Sequence, residues 1–488
     1  MTASLLTAAG AAHAEVTLNH TFSLESDLRL VVDKNRGATS DQLLHFNWNR
    51  NAVEYKVQAF IGEDVRAVGH LRTLFFGIHE IEKMNDLVDR RQMDPVRIDS
   101  DAAFLEVKGL VFDDLSVKLG RMIHTWGTAD QFSPTDNINP KDFEDPLRFG
   151  GKLANQMAVA TYYLPWLSGS IQAVWIPMFR PTQLPASSAL GMSADNVSQM
   201  PVRDPGLKQA LIDEYYREKG QGASLFMDPE IRVNMPPTDL DNMSGGVRTK
   251  FRLGEYDLSA SYFRGRHSFP VPKRIYSYSG KDVRTAEGLR TEQRQFIDLV
   301  YPRIQVIGLD FAASLPWLFN LGVWFDGAAI HPEKVDMLLY TTNYRPGDPC
   351  ATPGMTGSDI RLACSRNSDY WYYKMTAGFD YTFTSWLYMN VQYLHGFDDE
   401  FGYEDALDDF IAGGVDLKFL NDQLLLRLFT LHDITDGSDI LFPQFILNKW
   451  DSTELQLGAI FNLGAEDTKF GQKASGRNMV FTKVKVGF

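Results

Sequence analysis

Two stretches of the chain hold residues whose types and spacing could do chemistry. From Trp126 to Phe143 the sequence carries Asp130, Asp136, Asn137, Asn139 and Asp142, directly after His124. Carboxylate and amide oxygens at that density are donors that hard cations such as Ca²⁺ accept. Asp and Asn also build turns without any metal, and Pro134 and Pro140 mark a segment that turns. The turn reading is adopted and no metal is assigned. The second stretch is Arg248, Lys250 and Arg252, a ladder of like charge at every other residue. Such a ladder facing an aqueous pore selects counter-charged solutes. Pairing of those cations across strands is the equally weighted alternative.

Enzyme signatures are absent from the sequence. There is no P-loop, no G-x-S-x-G, no H-E-x-x-H and no dinucleotide-binding fingerprint, so no catalysis and no cofactor is expected. Asp433, Asp436 and Asp439 around Gly437 read as a hairpin loop. The net charge is -14 and no Lys/Arg block resembles a nucleic-acid tail, which argues against a nucleic-acid partner.

The elements that would position these residues are strands. In 53–61, Val53, Tyr55, Val57, Ala59 and Ile61 oppose Glu54, Lys56, Gln58 and Phe60. The same period of two returns in 370–382, and again where Val480, Thr482, Val484, Val486 and Phe488 oppose Lys483, Lys485 and Gly487. One face of such strands suits lipid and the other water. No run of apolar residues is long enough for a spanning helix, and the mean hydropathy of -0.23 resembles that of a soluble protein. A closed barrel is the remaining way to satisfy every backbone polar group in lipid.

Strand spacing supports that reading. A first strand at 16–33 is followed by hairpins 41–50/52–63, 100–112/115–126, 154–164/169–177 and 244–253/256–266. Further hairpins are 300–313/318–330, 370–382/386–396, 408–418/423–433 and 438–449/453–463, with a last strand at 478–488. The sum is an all-β, closed antiparallel transmembrane barrel of about 18 strands, with 16 as the alternative. Long polar segments at 64–99, 127–153, 178–243, 267–299 and 331–369 all fall on one side, as extracellular loops do, and the turns on the other side are short. Leu164-Pro165-Trp166-Leu167, Leu315-Pro316-Trp317-Leu318 and Thr384-Ser385-Trp386-Leu387 place a Trp at three of those short turns, where an interfacial ring is favoured. Within 71–88, Leu71, Leu74, Phe75, Ile78, Ile81 and Leu87 recur at helical spacing and predict an amphipathic loop helix.

The N-terminal apolar stretch ending at Ala12-His13-Ala14 reads as the remnant of a signal peptide over 1–14, which leaves 15–488 as one barrel domain. Cys350 and Cys364, the only cysteines, are expected to pair in an oxidising envelope. Together these features predict the outer membrane of a Gram-negative cell.

Lys118-Leu119-Gly120-Arg121, His124-Thr125-Trp126-Gly127, and then Asp130, Asp136-Asn137, Asn139-Pro140 and Asp142 resemble an uncharacterised family of proteobacterial outer-membrane proteins. The strand count and the Leu-Gly-Arg strand are more distantly similar to alginate-export porins. The resemblance implies a porin-like transport barrel. Barrel-assembly machineries read a C-terminal aromatic strand, which Phe488 fits. Relatives of the first family imply a periplasmic or envelope transport partner. The primary expectation is thus a channel passing a solute or polymer, with an anionic cargo as its refinement. The alternative is the outer-membrane component of a larger export or envelope complex.

Setting apolar faces toward lipid turns Lys56, Lys108, Lys118, Arg248, Lys250, Arg252, Lys374, Lys418, Lys483 and Lys485 inward, against Glu54, Glu106, Asp257, Asp310, Asp326, Asp380 and Asp416. The predicted selectivity residues are Arg248, Lys250, Arg252, Lys118, Lys374, Lys483 and Lys485. If 126–143 folds inward as a constriction loop, His124, Trp126, Asp130, Asp136, Asn137, Asn139 and Asp142 line it.

Overall fold

In the computed structural model, residues 16–32, 44–78, 88–129, 131–148, 150–184, 224–226, 230–285, 288–341, 361–367, 370–401, 407–465, 468–471 and 478–488 are described. The wall begins Val16–Val31, His45–Ile61, Val65–Phe76, then Val96–Asp99 with Ala103–Lys108, then Leu115–Met122, Asn155–Leu164 and Gly169–Ile176. It continues Ser244–Leu253, Tyr256–Arg266, Arg303–Leu315, Leu321–Pro332, Tyr372–Thr384 and Leu387–His395. Asp409–Phe419, Leu424–Asp433, Asp439–Trp450, Thr453–Leu463 and Met479–Gly487 complete it. Each strand pairs antiparallel with its neighbours. Val96–Asp99 and Ala103–Lys108 lie end to end against Val65–Phe76 and form one wall position. The last strand returns to the first, from Ser23 opposite Gly487 to Val31 opposite Met479. The 19-stranded sheet therefore closes as a barrel of 18 strands, which leaves no open edge.

The expected pleat is visible along single strands. In Arg303–Leu315, Ile304, Val306 and Asp310 are buried while Ile307 and Leu309 are 48% and 58% exposed on the outer face. Aromatic rings gather at the short-turn rim: Trp166, Trp317, Phe319, Trp386, Trp450 and Phe488 are all exposed there. Two of the three Trp turns are single 3₁₀ turns, Pro165–Leu167 and Pro316–Leu318, each with Pro at its start and a left-handed residue at its end, Ser168 and Phe319. Proline pre-sets the first dihedral of such a turn.

Two expectations near the N-terminus are corrected. His45–Ile61 is one continuous strand, not the hairpin 41–50/52–63, because Arg50 and Asn51 keep their ladder partners on both sides. The amphipathic helix predicted within 71–88 is replaced over its first part by Val65–Phe76. Leu71 and Phe75 face outward and Leu74 inward, so apolar residues on both faces of a strand imitated helical spacing. The helix in this loop is the short Arg90–Met93; Ile81 and Leu87 lie outside the described residues. One false split and one missed strand cancelled, so the count held at 18.

A second sheet of six strands is built from the long connections: Ser224–Phe226, Glu230–Asn234, Val271–Thr285, Gly288–Val300, Val335–Thr341 and Arg361–Asn367. Cys364 is in its last strand, whereas Cys350 and the proposed leader 1–14 lie outside the described residues.

The buried apolar residues sit inside the barrel. One cluster joins Phe132, Phe143, Phe269, Phe397, Phe401 and Phe470 from the connections to inward wall residues such as Phe410, Leu431, Ile440 and Phe481. Another packs Trp126 and Ile138 against Met157, Val174, Ile176, Phe263, Ile304 and Ile330. The lumen is therefore largely filled, and what fills it decides where a solute could pass.

Candidate functional site

The connection from Leu115–Met122 to Asn155–Leu164 folds into the lumen, and its anchors can be followed residue by residue. His124 Nε2 and Trp126 Nε1 meet Gln172 Oε1 at 2.7 and 2.8 Å. Trp126 is fully buried over Gly246, where a Cβ would stand 2.8 Å from its ring. Burial, larger than the Gln172 hydrogen bond, pushes the His124 imidazole below its ordinary pKa. Gly127 then turns with φ +91°, and the next two amides donate to the buried Asp326 carboxylate, Thr128 N at 2.9 Å and Ala129 N at 2.9 Å; the Thr128 hydroxyl donates to it as well.

Further along, Thr376 Oγ1 donates to the Phe132 carbonyl at 2.6 Å and Thr135 Oγ1 to Asp310 at 2.6 Å. Asp310 and Asp326 are cross-strand partners, so two neighbouring strands present adjacent carboxylates to the loop. Asn139 ties the loop to its own base, accepting from His124 N and donating to the Met122 and Leu153 carbonyls. Asp136 is paired with Lys152, and Asn137 donates to the Pro134 carbonyl. These bonds explain the Asp/Asn richness of 126–143: the oxygens accept from amides and an ammonium, as turn and anchor residues do.

The far end of the loop reaches the opposite wall. Asp145 takes Arg29 at 2.8 Å and Arg50 at 3.2 Å, on the first two strands, and Arg97 pairs with Glu144 at 2.7 Å. Burial opposes ionisation of Asp145, yet Arg29 and Arg50 outweigh it and hold its pKa below the ordinary value. Asp142 makes an isolated bridge to Gln183, and burial, the largest influence on it, raises its pKa. Asp130, expected at the narrowest point, lies outside the described residues.

On the long-loop rim a buried ionic group closes over the loop. Lys141 pairs with Asp398 at 3.2 Å. Lys469 pairs with Asp399 at 3.6 Å and with Glu400, and its ammonium stands 5.0 Å from both the Phe397 and Phe410 rings. Burial first, then the Glu400 charge, push the Asp408 carboxyl up to about 7.

The predicted selectivity residues separate into two groups. Arg248 faces inward but binds Asp310 at 3.2 Å, and Lys250 stands 3.9 Å from Asp257. Arg252 lies toward the short-turn rim and reaches the Gly254 carbonyl. Lys118 is 3.7 Å from Glu106, and Lys374 is buried beneath the loops, donating to the Phe397 carbonyl. Lys483, which pairs with Glu25 at 3.1 Å, and Lys485 line a polar hollow of about 260 Å³ between the last strand, the first strands and the loop. Its other cations are Arg50, Lys56, Arg72 and Arg148, and its carboxylates are Glu25, Glu54 and Asp101. Arg72 and Arg148 were not singled out from the sequence. Arg72 belongs to the strand read as a loop, and Arg148 enters the lumen on the inserted loop.

Fold and loop define a closed 18-stranded barrel with one connection folded into its lumen. No known protein family matches the chain, and no curated protein resembles it closely enough to match. Among solved structures, OccAB1 of Acinetobacter baumannii aligns with 96% of both chains at 10% identity and a TM-score of 0.46. OccAB3 of the same organism covers 99% of its own chain and 96% of this one, at 10% identity and 0.47. Pseudomonas aeruginosa OccK11 aligns over 96% of this chain and 95% of its own, at 9% and 0.45. The barrel assignment rests on the closed strand order and not on these similarities.

Proposed function

We propose that this chain is a channel of the bacterial outer membrane that passes small solutes, preferentially anions, between the inserted loop and one side of the wall. The observation that carries the reading is the unequal filling of the lumen. Phenylalanines and a buried tryptophan pack the connections against the strands from Asn155–Leu164 round to Met479 and Phe481 of the last strand, whereas the strands from Val16–Val31 to Val65–Phe76, with Lys483 and Lys485 from the later part of the last strand, keep a hollow lined by six cations and three carboxylates. An excess of cations over carboxylates along a low-dielectric wall raises the local concentration of anions. The outward apolar face and aromatic rim suit lipid, and a closed barrel is the form in which strands cross a membrane.

Anion preference on this reading comes from the hollow, where six cations outnumber three carboxylates although Lys483 pairs with Glu25 at 3.1 Å and Lys56 with Glu54 at 3.0 Å, and not from Arg248, Lys250 and Arg252. Planar-bilayer recording of the refolded protein tests the channel. Conductance with a reversal potential on the anion side supports it. Silence from folded protein, persisting when the loop is released by Asp326→Ala, overturns it.

A further inference from the structure

The hollow has a shape as well as a charge. Along His45–Ile61 the inward row reads Trp48, Arg50, Ala52, Glu54 and Lys56, and Ala52 is its single small member. Ala52 stands opposite Leu74 on the neighbouring strand, and both are buried. The missing side-chain volume at Ala52 leaves a recess between Arg50 and Glu54, and Arg72, the ladder partner of Glu54, borders it from the next strand.

Hydrogen-bond capacity in this recess is incomplete on the donor side. The Arg50 side chain is only 6% exposed and gives its two terminal nitrogens to Glu25 at 2.9 Å and Asp145 at 3.2 Å. Its Nε is buried with no hydrogen-bond partner among the described residues, and so is the Nε of Arg72, whose Nη2 holds Asp101 at 3.3 Å. A buried unpaired donor costs roughly 1–3 kcal/mol, more when charged, until an acceptor meets it. With those terminal nitrogens held by carboxylates, the Nε of each guanidinium is a donor left for an anion oxygen, and a hydrogen bond from a charged donor is the stronger kind. The loop adds Arg148 and the last strand adds Lys483 and Lys485.

From this geometry we infer that the recess over Ala52 is a saturable binding site for a compact dianion bearing carboxylate or phosphate groups, held chiefly by Arg50 and Arg72. The site refines the channel reading by naming the solute class, and its test does not require that the barrel conduct. Two separated anionic groups match cations spread over several strands, and the hollow of about 260 Å³ has room for a molecule the size of succinate.

Trp48 is a built-in reporter, because the Arg29 and Arg50 guanidinium carbons lie 4.5 and 5.7 Å from its ring centre. Detergent-solubilised, folded barrel is titrated with succinate, with inorganic phosphate and with neutral succinamide while tryptophan emission is followed. Succinate or phosphate should give a saturable change that the Trp48→Phe protein lacks, and succinamide none. Comparing the two anions decides between carboxylate and phosphate. Arg72→Gln should weaken the apparent Kd about tenfold or more, the loss of one charge-assisted hydrogen bond. Ala52→Met, which fills the recess and leaves every charge in place, should abolish saturation. Calorimetric titration covers the case of a silent Trp48. The inference is overturned if neither method detects either anion, or if Ala52→Met and Arg72→Gln bind as the parent does. Binding without conductance would instead refute the channel and leave the site standing.

Discussion

The hold of Asp326 on the inserted loop can be tested by a single substitution. Asp326 is fully buried and receives two backbone amides, Thr128 and Ala129, and the Thr128 hydroxyl. Hydrogen bonds to a charged acceptor contribute roughly 1.5–3 kcal/mol each, and orphaning a buried donor costs about 1–3 kcal/mol. Asp326→Ala removes all three acceptor contacts at once. Water entering the vacated space restores part of the loss, so the local cost is on the order of 3–6 kcal/mol. The anchors at Asp310 and at Arg29 and Arg50 remain, which confines the effect to the part of the loop near Thr128. Amide hydrogen exchange of the folded protein reads this directly, because local opening sets the exchange rate. A cost of 3 kcal/mol corresponds to about a 100-fold faster exchange at Thr128 and Ala129. Asp326→Asn, which keeps one acceptor oxygen, should fall between. Wild-type protection of both amides in a folded Asp326→Ala protein would refute the anchor and the reading of the loop as a clamped constriction.

Three further outcomes follow from the same geometry. Replacing Lys483 and Lys485 with Gln should move the reversal potential in a salt gradient toward cations more than replacing Arg248, Lys250 and Arg252 together, because the first two line the hollow proposed as the solute path, although Lys483, like Arg248 and Lys250, faces a carboxylate; the reverse ranking in bilayer recordings would contradict that path. Gly127→Ala should loosen the same loop by roughly 1–3 kcal/mol, since φ is +91° and the new Cβ would stand 2.6 Å from Asp326 Oδ2, and exchange at Thr128 should rise while the barrel keeps its heat stability. Asp408, raised to about 7, binds its proton more tightly folded than unfolded, so its contribution falls as pH rises from the ordinary carboxylate range through about 7. Protease resistance of the 396–408 connection should therefore be greater at pH 5 than at pH 8, and Asp408→Asn should flatten the difference.

Strands whose two faces differ were readable directly: Tyr256–Arg266 and Thr453–Leu463 fall where alternation put them. Val65–Phe76 was hidden because Leu74 faces inward beside Ala52 at the hollow while Leu71 and Phe75 face outward, so apolar residues on both faces erase the amphipathic contrast. Composition flagged the 126–143 segment, and Pro134 and Pro140 flagged its turns. Its anchors were not readable, since Thr128 meets Asp326 and Thr135 meets Asp310 on strands far along the chain, and no local pattern encodes such pairings. The charged ladder on Ser244–Leu253 was visible as a period, but whether a cation is free depends on the facing strand. Asp310 is two strands away and answers that for Arg248.

The docking of Asp145 on Arg29 sets an order of assembly. Arg29 belongs to the strand that zips against Met479–Gly487 to shut the seam, while Asp145 belongs to a connection made much earlier in the wall. The connection carries Trp126, Phe132 and Phe143, each enclosed by wall or loop side chains. Groups of that bulk enter a half-open sheet far more readily than a finished cylinder. The loop must then be lodged against the growing inner surface while the sheet is still a curved ribbon, and Arg29 meets a carboxylate already waiting there. A seam that closed first would trap the connection outside, leaving Arg29 and Arg50 buried without Asp145, so the ion pair also marks correctly ordered closure.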